Sequence, residues 1–423
     1  MNRAGGFGVR AGALLTDSAR SIPAAVAFKM IIPPRAGGLD TTWKTQEMPV
    51  AGETDHRAGR RLTMDIMRRP STIAVGFSLG LLGREVVRRR RAIDLDGQVV
   101  LITGSSRGLG LAMAKEFARR GAKLVLCARS VDELAWARET VAQSGAEALA
   151  VPCDVGDRAQ VQDLVDQAMN RFGRIDILVN NAGIIIVGPI QDQTLEDFKT
   201  AMDVMFWGVV YPTLTVLPQM MERKSGRIVN ITSIGGKLSV PHLLSYNSAK
   251  FAAVGFSEGL TAELAKEGVQ SITVVPGLIG TGSHVNAFFK GKHRAEYAWF
   301  SLGASLPFTS MSATRAAHQI VEATRRGDNE IILTPQAQLA ARLHGLFPGL
   351  TTSVLGVVNR VMPGANGIGT ERRLGKQSKS FISQSFLTVL GRRAARTWHQ
   401  YPERAEVEGS VMGGRGGKAE TPA

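Results

Sequence analysis

The feature that most constrains this chain is an alternation of short apolar runs with helix-length segments, which begins near Asp96. The runs are rich in β-branched residues, as in Val99-Val100-Leu101-Ile102. Continuously apolar runs of this kind suit parallel strands that are covered on both faces. We predict strands over residues 99–103, 123–127, 148–152, 175–180, 227–232, 271–275 and 330–333. Strands and helices in strict alternation indicate an α/β fold with a doubly wound parallel sheet.

Positive charge is concentrated near the N-terminus. The 423 residues carry a net charge of +15, and residues 1–91 hold 16 Lys and Arg against 7 Asp and Glu, which is +9 of that total. Neither zinc-finger spacing nor interleaved basic and aromatic residues accompany this charge, so we predict no nucleic-acid partner. The two cysteines, Cys127 and Cys153, fall at predicted strand ends and the histidines are scattered. We therefore expect no disulfide, no metal site and a reducing, cytoplasmic location.

The chain before the sheet divides into two predicted segments. Residues 1–70 are rich in Gly, Arg and Pro without a sustained period, which is typical of a flexible basic leader. Residues 71–92 contain an apolar stretch, Ser71 to Gly83, with basic flanks that include Arg88 to Arg91. Three interpretations stay open: a short helix or arm against the domain, a tether to the cytoplasmic face of a membrane, or a cleaved signal.

The sheet and the chain after it divide into three more segments. Residues 93–335 form the predicted catalytic domain, residues 336–390 an apolar C-terminal helical extension and residues 391–423 a disordered tail. Within the extension, the stretch Leu339 to Met362 is apolar but interrupted by Arg342, Pro348 and Arg360. It is interpreted either as a helix pair that caps the substrate mouth or as a helix that lies in a membrane interface.

A glycine-rich loop follows the first predicted strand directly. Glycines let the backbone turn sharply and approach a pyrophosphate, and the N-terminus of the next helix offers free N–H groups to the anion. The position between a strand and a helix makes this loop a predicted dinucleotide site. Its predicted cofactor-binding residues are Gly104, Ser106, Arg107, Gly108, Leu109 and Gly110.

The end of the second predicted strand bears on cofactor selectivity. An enzyme that selects NAD(H) tends to have an acid there, to hold the ribose 2′-hydroxyl, whereas an arginine accommodates a 2′-phosphate. Here the strand ends in Cys127-Ala128-Arg129-Ser130, without an acid. Arg129, with Arg107 in the glycine loop, can recognise a phosphate through paired N–H donors. The sequence therefore favours NADP(H) over NAD(H).

Two further motifs follow the third and fourth predicted strands. They are Asp154-Val155 and Asn181-Ala182-Gly183. Ligands bind at the carboxyl ends of strands in open α/β sheets, so we predict that both motifs contact the cofactor. The Asp154 carboxylate can accept from the adenine amino group, and the small residues let the cofactor pass close.

Three residues carry the predicted chemistry: Ser233, Tyr246 and Lys250. Tyr246 and Lys250 are four positions apart, which puts both on one face of a helix. A free tyrosine has a pKa near ~10, so we expect the Lys250 cation to lower it by stabilising the phenolate. Tyr246 then exchanges a proton with a carbonyl oxygen while a nicotinamide transfers hydride. Ser233 can donate a hydrogen bond to the same oxygen.

From about Asp96 to Thr281 the chain resembles the short-chain dehydrogenase/reductase superfamily. The matching motifs are TGSSRGLG, NNAG, a serine thirteen residues before the tyrosine, YNSAK, and the segment that starts at Pro276. The resemblance implies a Rossmann fold and a homo-oligomer, and it implies that Lys250 also holds the nicotinamide ribose. It adds four implied cofactor contacts: Pro276, Gly277, Ile279 and Thr281.

One position departs from the family pattern. The family commonly has an asparagine in the helix after NNAG, where it helps to hold a water of the proton relay, and this chain has Met205. A thioether cannot donate as an amide does. Either another group serves the relay or turnover is reduced.

Together these residues predict an NADP(H)-dependent oxidoreductase that interconverts a carbonyl and an alcohol. The apolar chain after Thr281, including Phe288-Phe289, Tyr297 and Trp299-Phe300, favours a small lipophilic substrate such as a retinoid, a steroid, or a fatty aldehyde or ketone. Two alternatives remain. One is a 3-oxoacyl thioester reductase, and the other is a non-catalytic NADP(H)-binding sensor or scaffold.

Overall fold

The computed structural model describes residue 85, residues 88–306 and residues 309–401. The strands are β1 (Val99–Thr103), β2 (Lys123–Ala128), β3 (Ala148–Pro152), β4 (Ile177–Asn180), β5 (Ile186–Val187), β6 (Gly226–Ile231), β7 (Val269–Val275), β8 (Leu278–Gly280), β9 (Phe288–Phe289), β10 (Ser310–Ser312), β11 (Glu330–Ile332) and β12 (Arg373–Leu374). The helices are α1 (Gly108–Arg119), α2 (Val131–Ala142), α3 (Arg158–Phe172), α4 (Leu195–Met202), α5 (Gly208–Glu222), α6 (Leu244–Glu263), α7 (His293–Ser305), α8 (Ala313–Arg326), α9 (Pro335–Leu346), α10 (Pro348–Asn359) and α11 (Val389–Thr397).

Seven strands form one parallel sheet in the order β3-β2-β1-β4-β6-β7-β11. The order reverses direction at β1 and β4, so a crevice opens between the loops that follow these two neighbours. All seven predicted strands are present, and the prediction of a doubly wound parallel sheet is confirmed. The five remaining strands, β5, β8, β9, β10 and β12, have two or three residues each and were not predicted.

The alternating side chains of β1 show how both faces of the sheet are covered. Val100 and Ile102 pack into the apolar cluster with Leu111 and Phe117 of α1, whereas Leu101 packs into the cluster on the opposite face. All five residues of β1 are buried. Successive side chains of a strand point to opposite faces, so a strand with helices on both sides needs an unbroken apolar run.

Local signals fix where several helices begin and end. The Ser130 hydroxyl accepts from the Glu133 N–H at the start of α2, and the Asp157 carboxylate accepts from two N–H groups at the start of α3. Gly173 ends α3 and Gly327 ends α8, both in the left-handed conformation that glycine adopts at no steric cost. These caps keep the connections short and hold the strand ends in register.

Three of the predicted segments differ in how much of them the structure describes. The leader, residues 1–70, and most of residues 71–92 lie outside the described residues. Residues 88–91 are described, and Arg88 there pairs with the Asp328 carboxylate at 2.5 Å. The predicted extension contains α9 and α10, whose side chains do not line the cavity described below, which does not favour the interpretation as a cap over the substrate mouth. The domain boundaries themselves stay predictions.

The prediction of a disordered tail from residue 391 is wrong for residues 391–401. They continue the helix α11 and a turn after it, with Gly391, Ala395 and Gln400 buried. Small residues make the close packing possible, because a Cβ on Gly282 would stand 2.3 Å from the Ala395 Cα. A segment rich in Gly and Arg is ordered here by contact with the domain, which its composition does not reveal.

In the described part of the chain, one helical run is long and apolar enough to cross a membrane by length and composition. It is Leu195–Glu222, which comprises α4, a π-helical turn over Asp203–Trp207, and α5. Buried residues of this run, such as Val216 and Met220, pack in the core beneath the sheet. A core helix of a globular domain passes the same test, so this run is weak evidence for a membrane span.

Candidate active site

The glycine loop after β1 adopts a shape that larger residues would not allow. Gly104 has φ +63°, and a Cβ there would stand 2.8 Å from the Ala182 Cα. A Cβ on Gly110 would stand 2.2 Å from the Gly104 carbonyl oxygen. The first turn of α1 thus lies directly against the loop, and its N–H groups have no partner within the helix. This is the geometry that a pyrophosphate requires.

Hydrogen bonds join this loop to the one after β4. The Asn181 amide donates to the carbonyls of Thr103 (2.9 Å) and Gly104 (3.0 Å). In return, the Thr103 hydroxyl accepts from the backbone N–H groups of Asn181 and Ala182. The two loops at the switch point of the sheet are therefore held as one unit, and they form the floor of a cavity of about 820 Å³.

The part of the cavity where the adenosine ribose is expected contains an acid that the sequence reading missed. Glu133, in the first turn of α2, accepts from Arg107 Nη1 at 2.9 Å and from the Ser106 hydroxyl at 3.1 Å. Arg129 is largely exposed, and its guanidinium lies 3.8 Å from the Asp154 carboxylate. Of the two arginines predicted to bind a 2′-phosphate, Arg107 is paired with an internal carboxylate and Arg129 faces solvent.

The reacting end of the cavity contains Ser233, Tyr246 and Lys250. Lys250 is buried and its Nζ donates to the Ile231 carbonyl at 2.8 Å, while it lies 6.0 Å from the centre of the Tyr246 ring. The Ser233 Oγ accepts from the Gly235 N–H at 3.0 Å, and its hydroxyl is hydrogen-bonded to that of Tyr246. The loop after β6 and the helix α6 thus bring the polar groups of Ser233, Tyr246 and Lys250 to the same end of the cavity.

Burial has the largest influence on the pKa values of Tyr246 and Lys250 at this end of the cavity. It raises the pKa of Tyr246 above its usual value, and a hydrogen bond with Ser233 opposes that rise only in part. The expected net lowering of the Tyr246 pKa is therefore wrong for this structure, because loss of solvent raises it by more than the Ser233 hydrogen bond lowers it. Burial also lowers the pKa of Lys250 to about 8. At neutral pH both groups carry their protons.

Met205 lies beneath this site in the π-helical turn Asp203–Trp207. Its side chain is fully buried, packs with Ala201, Ala249 and Tyr246, and reaches to 3.9 Å from where a Gly183 Cβ would stand. The thioether therefore serves as apolar packing under the phenol. π-Helical turns are frequent at functional sites, and this one retains the bulge although the usual amide is absent.

The other half of the cavity is apolar and faces Tyr246. Phe288, Trp299 and Phe300 line it, as the sequence predicts, together with Ile184, Ile185, Val240, Leu243 and Leu278. Phe289 and Tyr297, also predicted to line the cavity, instead lie in the core behind it, where their rings meet edge to face. Such a surface binds apolar groups and leaves the hydroxyls of Ser233 and Tyr246 as its polar contacts.

The cavity brings together every residue predicted to be catalytic or to bind the cofactor. They are Gly104, Ser106, Arg107, Gly108, Leu109, Gly110, Arg129, Asp154, Val155, Asn181, Ala182, Gly183, Ser233, Tyr246, Lys250, Pro276, Gly277, Ile279 and Thr281. Their individual roles stay predictions. The sequence reading missed Glu133, Asn286 and Gln400, which also line the cavity. A search for acids in the helix after β2 could have found Glu133, but no local pattern marks the other two.

Comparison with known proteins identifies the family. The family model "short chain dehydrogenase" matches residues 98–289. An Anopheles gambiae protein named "Dehydrogenase/reductase SDR family protein 7-like" is 35% identical over 259 residues, which are 60% of this chain and 80% of that protein. The chain is a short-chain dehydrogenase/reductase. A "3-oxoacyl-[acyl-carrier-protein] reductase" from Synechocystis is 39% identical over 189 residues, 44% of this chain and 76% of that protein.

A solved structure supports the same conclusion for the fold. It is a short-chain dehydrogenase/reductase from Burkholderia phymatum in complex with NAD, with a TM-score of 0.55 and 28% identity. The match covers 61% of this chain and 96% of that one. The comparisons and the parallel sheet together show an oxidoreductase that binds a nicotinamide dinucleotide.

The residues present fit such a cofactor. The glycines leave the space that its pyrophosphate needs, and the first turn of α1 offers N–H donors. When bound, the nicotinamide exchanges a hydride with the substrate carbon. In the predicted roles, Tyr246 would exchange a proton with a substrate oxygen, Ser233 would donate to the same oxygen, and the Lys250 cation would stabilise negative charge on the phenol.

The replacement Met205→Asn tests whether the missing amide limits turnover. If the relay lacks a donor, the variant should raise kcat several-fold with little change in KM, as measured by NADPH oxidation. Burial of an unpaired amide costs roughly 1–3 kcal/mol, so the same variant should lower the melting temperature unless a water of the relay satisfies it. Met205→Leu, which keeps the volume, is the control. A lower kcat in Met205→Asn, with wild-type kcat in the control, would contradict a relay deficit.

Proposed function

We propose that this enzyme uses NADPH to reduce a carbonyl group on a small lipophilic substrate. The observation that carries the proposal is the apolar half of the cavity, where Trp299, Phe300 and Leu243 surround the approach to Tyr246. An apolar surface of this kind favours hydrocarbon around a single carbonyl, as in a retinoid, a steroid, or a fatty aldehyde or ketone. Polar substrates would leave their hydrogen-bonding groups without partners there.

The protonation states support reduction as the main direction. Reduction consumes the proton of Tyr246, and the raised pKa of this phenol keeps the proton in place at neutral pH. Oxidation would require the phenolate as a base, which burial disfavours. Lys250 carries its positive charge below about pH 8 and then compensates the phenolate as it forms.

A reductase of 3-oxoacyl thioesters is a second candidate. It is supported by the relative that bears the name of such an enzyme and is 39% identical over the matched residues. A thioester substrate carries its carbonyl on an acyl chain, which the apolar half of the cavity would also accept. The two candidates differ in the group beyond the carbonyl, so a panel that contains both free ketones and carrier-bound 3-oxoacyl chains separates them.

The replacement Tyr246→Phe tests the catalytic proposal. It removes the proton donor but keeps the ring, so kcat for ketone reduction should fall by about 10²–10⁴-fold, while the Kd for NADPH stays within about twofold. NADPH oxidation is measured with a panel of apolar ketones and aldehydes and with a 3-oxoacyl carrier thioester. The rate of reduction by the wild type should fall as pH rises through about 8, because Lys250 loses its charge there.

The matched control for this variant is Tyr211→Phe, since Tyr211 loses the same hydroxyl, stacks on Trp207 and does not line the cavity. Equal rates in wild type and Tyr246→Phe would overturn the catalytic role. Binding of NADPH without turnover of any substrate would instead favour a sensor or scaffold. Turnover of the carrier thioester alone would favour the second candidate.

The proposed preference for NADPH depends on the positive charges of Arg129 and Arg107, and the negative charge of Glu133 acts against it. Arg129 is largely exposed and its pairing with Asp154 is long at 3.8 Å, so it can turn toward a 2′-phosphate, and Arg107 becomes available once the Glu133 side chain turns away. A phosphate accepts strong charge-assisted hydrogen bonds from guanidinium groups. Glu133 would repel the phosphate, so the preference for NADPH is a balance between these three side chains.

Replacement of these side chains should shift cofactor preference in opposite directions. Arg129→Ala should raise the Kd for NADPH by about tenfold or more and leave that for NADH nearly unchanged, since a hydrogen bond to a charged group is worth roughly 1.5–3 kcal/mol. Glu133→Gln removes the negative charge and should lower the Kd for NADPH relative to that for NADH. Both are measured by titration of nicotinamide fluorescence. An equal rise in the Kd of NADPH and in the Kd of NADH for Arg129→Ala would argue against recognition of the 2′-phosphate by Arg129.

We also propose that the hairpin of α9 and α10 contacts the surface of an anionic membrane. No described side chain of α10 is buried. The exposed apolar side chains of the hairpin and the residues after it are Leu339, Leu343, Leu346, Phe347, Leu350, Val354, Val357, Val358 and Val361. A face this apolar is unusual on a protein that meets only water. Arg342 on α9 and Arg91 line an adjacent cavity, which supplies positive charge for lipid phosphates.

A triple replacement tests this contact. In the full chain, Leu350→Ser, Val354→Ser and Val357→Ser together should abolish sedimentation with phosphatidylserine vesicles while ketone reductase activity is retained, because the cavity lies elsewhere. Thr352→Ala with Ser353→Ala on the same helix is the control. Unchanged sedimentation of the triple variant, with loss only when residues 1–84 are removed, would assign the membrane contact to the leader instead.

A further inference from the structure

The last described residues form a segment that contacts both sides of the cavity. We name residues 389–401 the C-terminal strap; it comprises α11 and the turn that follows it. It begins 100 residues beyond the end of the family match at residue 289. The family pattern therefore says nothing of its role.

On one side, the strap contacts the helices that follow β1 and β2. The Trp398 carbonyl accepts from the Gly108 N–H at 3.0 Å, at the first residue of α1. The His399 ring stacks on Trp136 of α2, with centroids 3.8 Å apart and planes 6° from parallel. Lys115 lies over the Trp398 ring at 5.9 Å. These contacts hold the strap against the half of the crevice where the adenosine end of a dinucleotide is expected.

On the other side, the strap contacts the segment after β8. The Asn286 amide donates to both the backbone carbonyl and the Oε1 of Gln400, each at 2.9 Å. Ala395 is fully buried against Gly282, where a Cβ would collide with it. This segment follows Ile279 and Thr281, so it belongs to the nicotinamide half of the site. The strap thus bridges the two halves of the crevice.

Gln400 stands between these two anchors. Its side chain is 3% exposed and lines the cavity. A Cβ on Gly108 would stand 3.0 Å from Gln400 Nε2, so this amide nitrogen faces the start of α1. The start of α1 is also where the glycine loop leaves room for a pyrophosphate. Since Oε1 is engaged by Asn286, the amide is oriented with its two N–H donors toward that space.

We infer that Gln400 Nε2 donates a hydrogen bond to the pyrophosphate of the bound nicotinamide dinucleotide, and that the C-terminal strap closes over it. A donor fixed by a second hydrogen bond loses little entropy when it binds an anion. The strap must open for the cofactor to exchange, because it contacts both halves of the crevice. The Trp136–His399 stack holds it shut. The inference rests on the cofactor class and not on the proposed substrate.

The replacement Gln400→Glu tests the hydrogen bond. It keeps the size of the side chain but presents a carboxylate to the pyrophosphate, so the Kd of the dinucleotide should rise by about tenfold or more. Gln400→Ala should raise it less. The Kd of the matching fragment without a pyrophosphate, which is adenosine 2′-monophosphate for NADPH and adenosine for NADH, should stay within about twofold of wild type. The dinucleotide used is whichever of NADPH and NADH the wild type binds more tightly, so an incorrect cofactor preference does not affect the result.

The control is Thr397→Ala, since Thr397 is exposed in the same strap, at the end of α11. An unchanged Kd for the dinucleotide in Gln400→Glu would overturn the ligand role. An equal rise for the dinucleotide and the fragment would also overturn it, because that pattern reports general distortion of the site.

The replacement Trp136→Ala supplies an independent readout of closure. Trp136 does not line the cavity, so its loss removes the stack on His399 without removing a cofactor contact. The dissociation rate of the dinucleotide, measured by stopped-flow displacement, should rise several-fold, and Trp136→Phe should restore most of the wild-type rate. A wild-type dissociation rate in Trp136→Ala would overturn closure of the strap even if Gln400 proved to be a ligand.

Discussion

The hydrogen bonds between Thr103, Gly104 and Asn181 are the interactions on which the site depends. They join the loops after β1 and β4, the two neighbours at which the strand order of the sheet reverses. A loop of glycines has little rigidity of its own, since glycine loses more conformational freedom on folding than any other residue. The Asn181 side chain supplies the rigidity, and the Ala182 backbone comes so close to Gly104 that no larger residue fits at position 104. The cavity floor is therefore preorganised before any ligand arrives.

Most of the fold and of the site follows from sequence because parallel strands end at one edge of a sheet. Once the apolar runs were recognised as strands, Asp154, Asn181, Ser233 and Pro276 had to meet there, whatever the details of packing. Glu133 was missed because it comes from the helix after the strand end, four residues after Arg129. The order of residues 391–401 could not be predicted, since it depends on contacts with residues more than a hundred positions earlier in the chain.

Burial has more influence than neighbouring charges on the pKa values of Tyr246 and Lys250. The reading of Tyr246 and Lys250 as an ion-stabilised pair assumed that attraction would prevail, yet both groups lie in a site with little water, and the cost of charging them there is larger. Met205 adds to this effect, because it places a thioether and not an amide against the phenol. Both influences favour the protonated phenol, which is the state that the proposed reduction uses.

Gly108 contacts a residue 290 positions later in the chain, because its N–H donates to the Trp398 carbonyl. While the protein is being synthesised, the sheet and α1 can form long before Trp398 leaves the ribosome. During that interval the Gly108 N–H lacks its partner, and the cavity lacks Gln400 from its lining. Among the described residues, the nucleotide pocket is thus completed by the last stretch to be synthesised, and a chain cut short before residue 389 would contain every family motif and still lack a finished pocket.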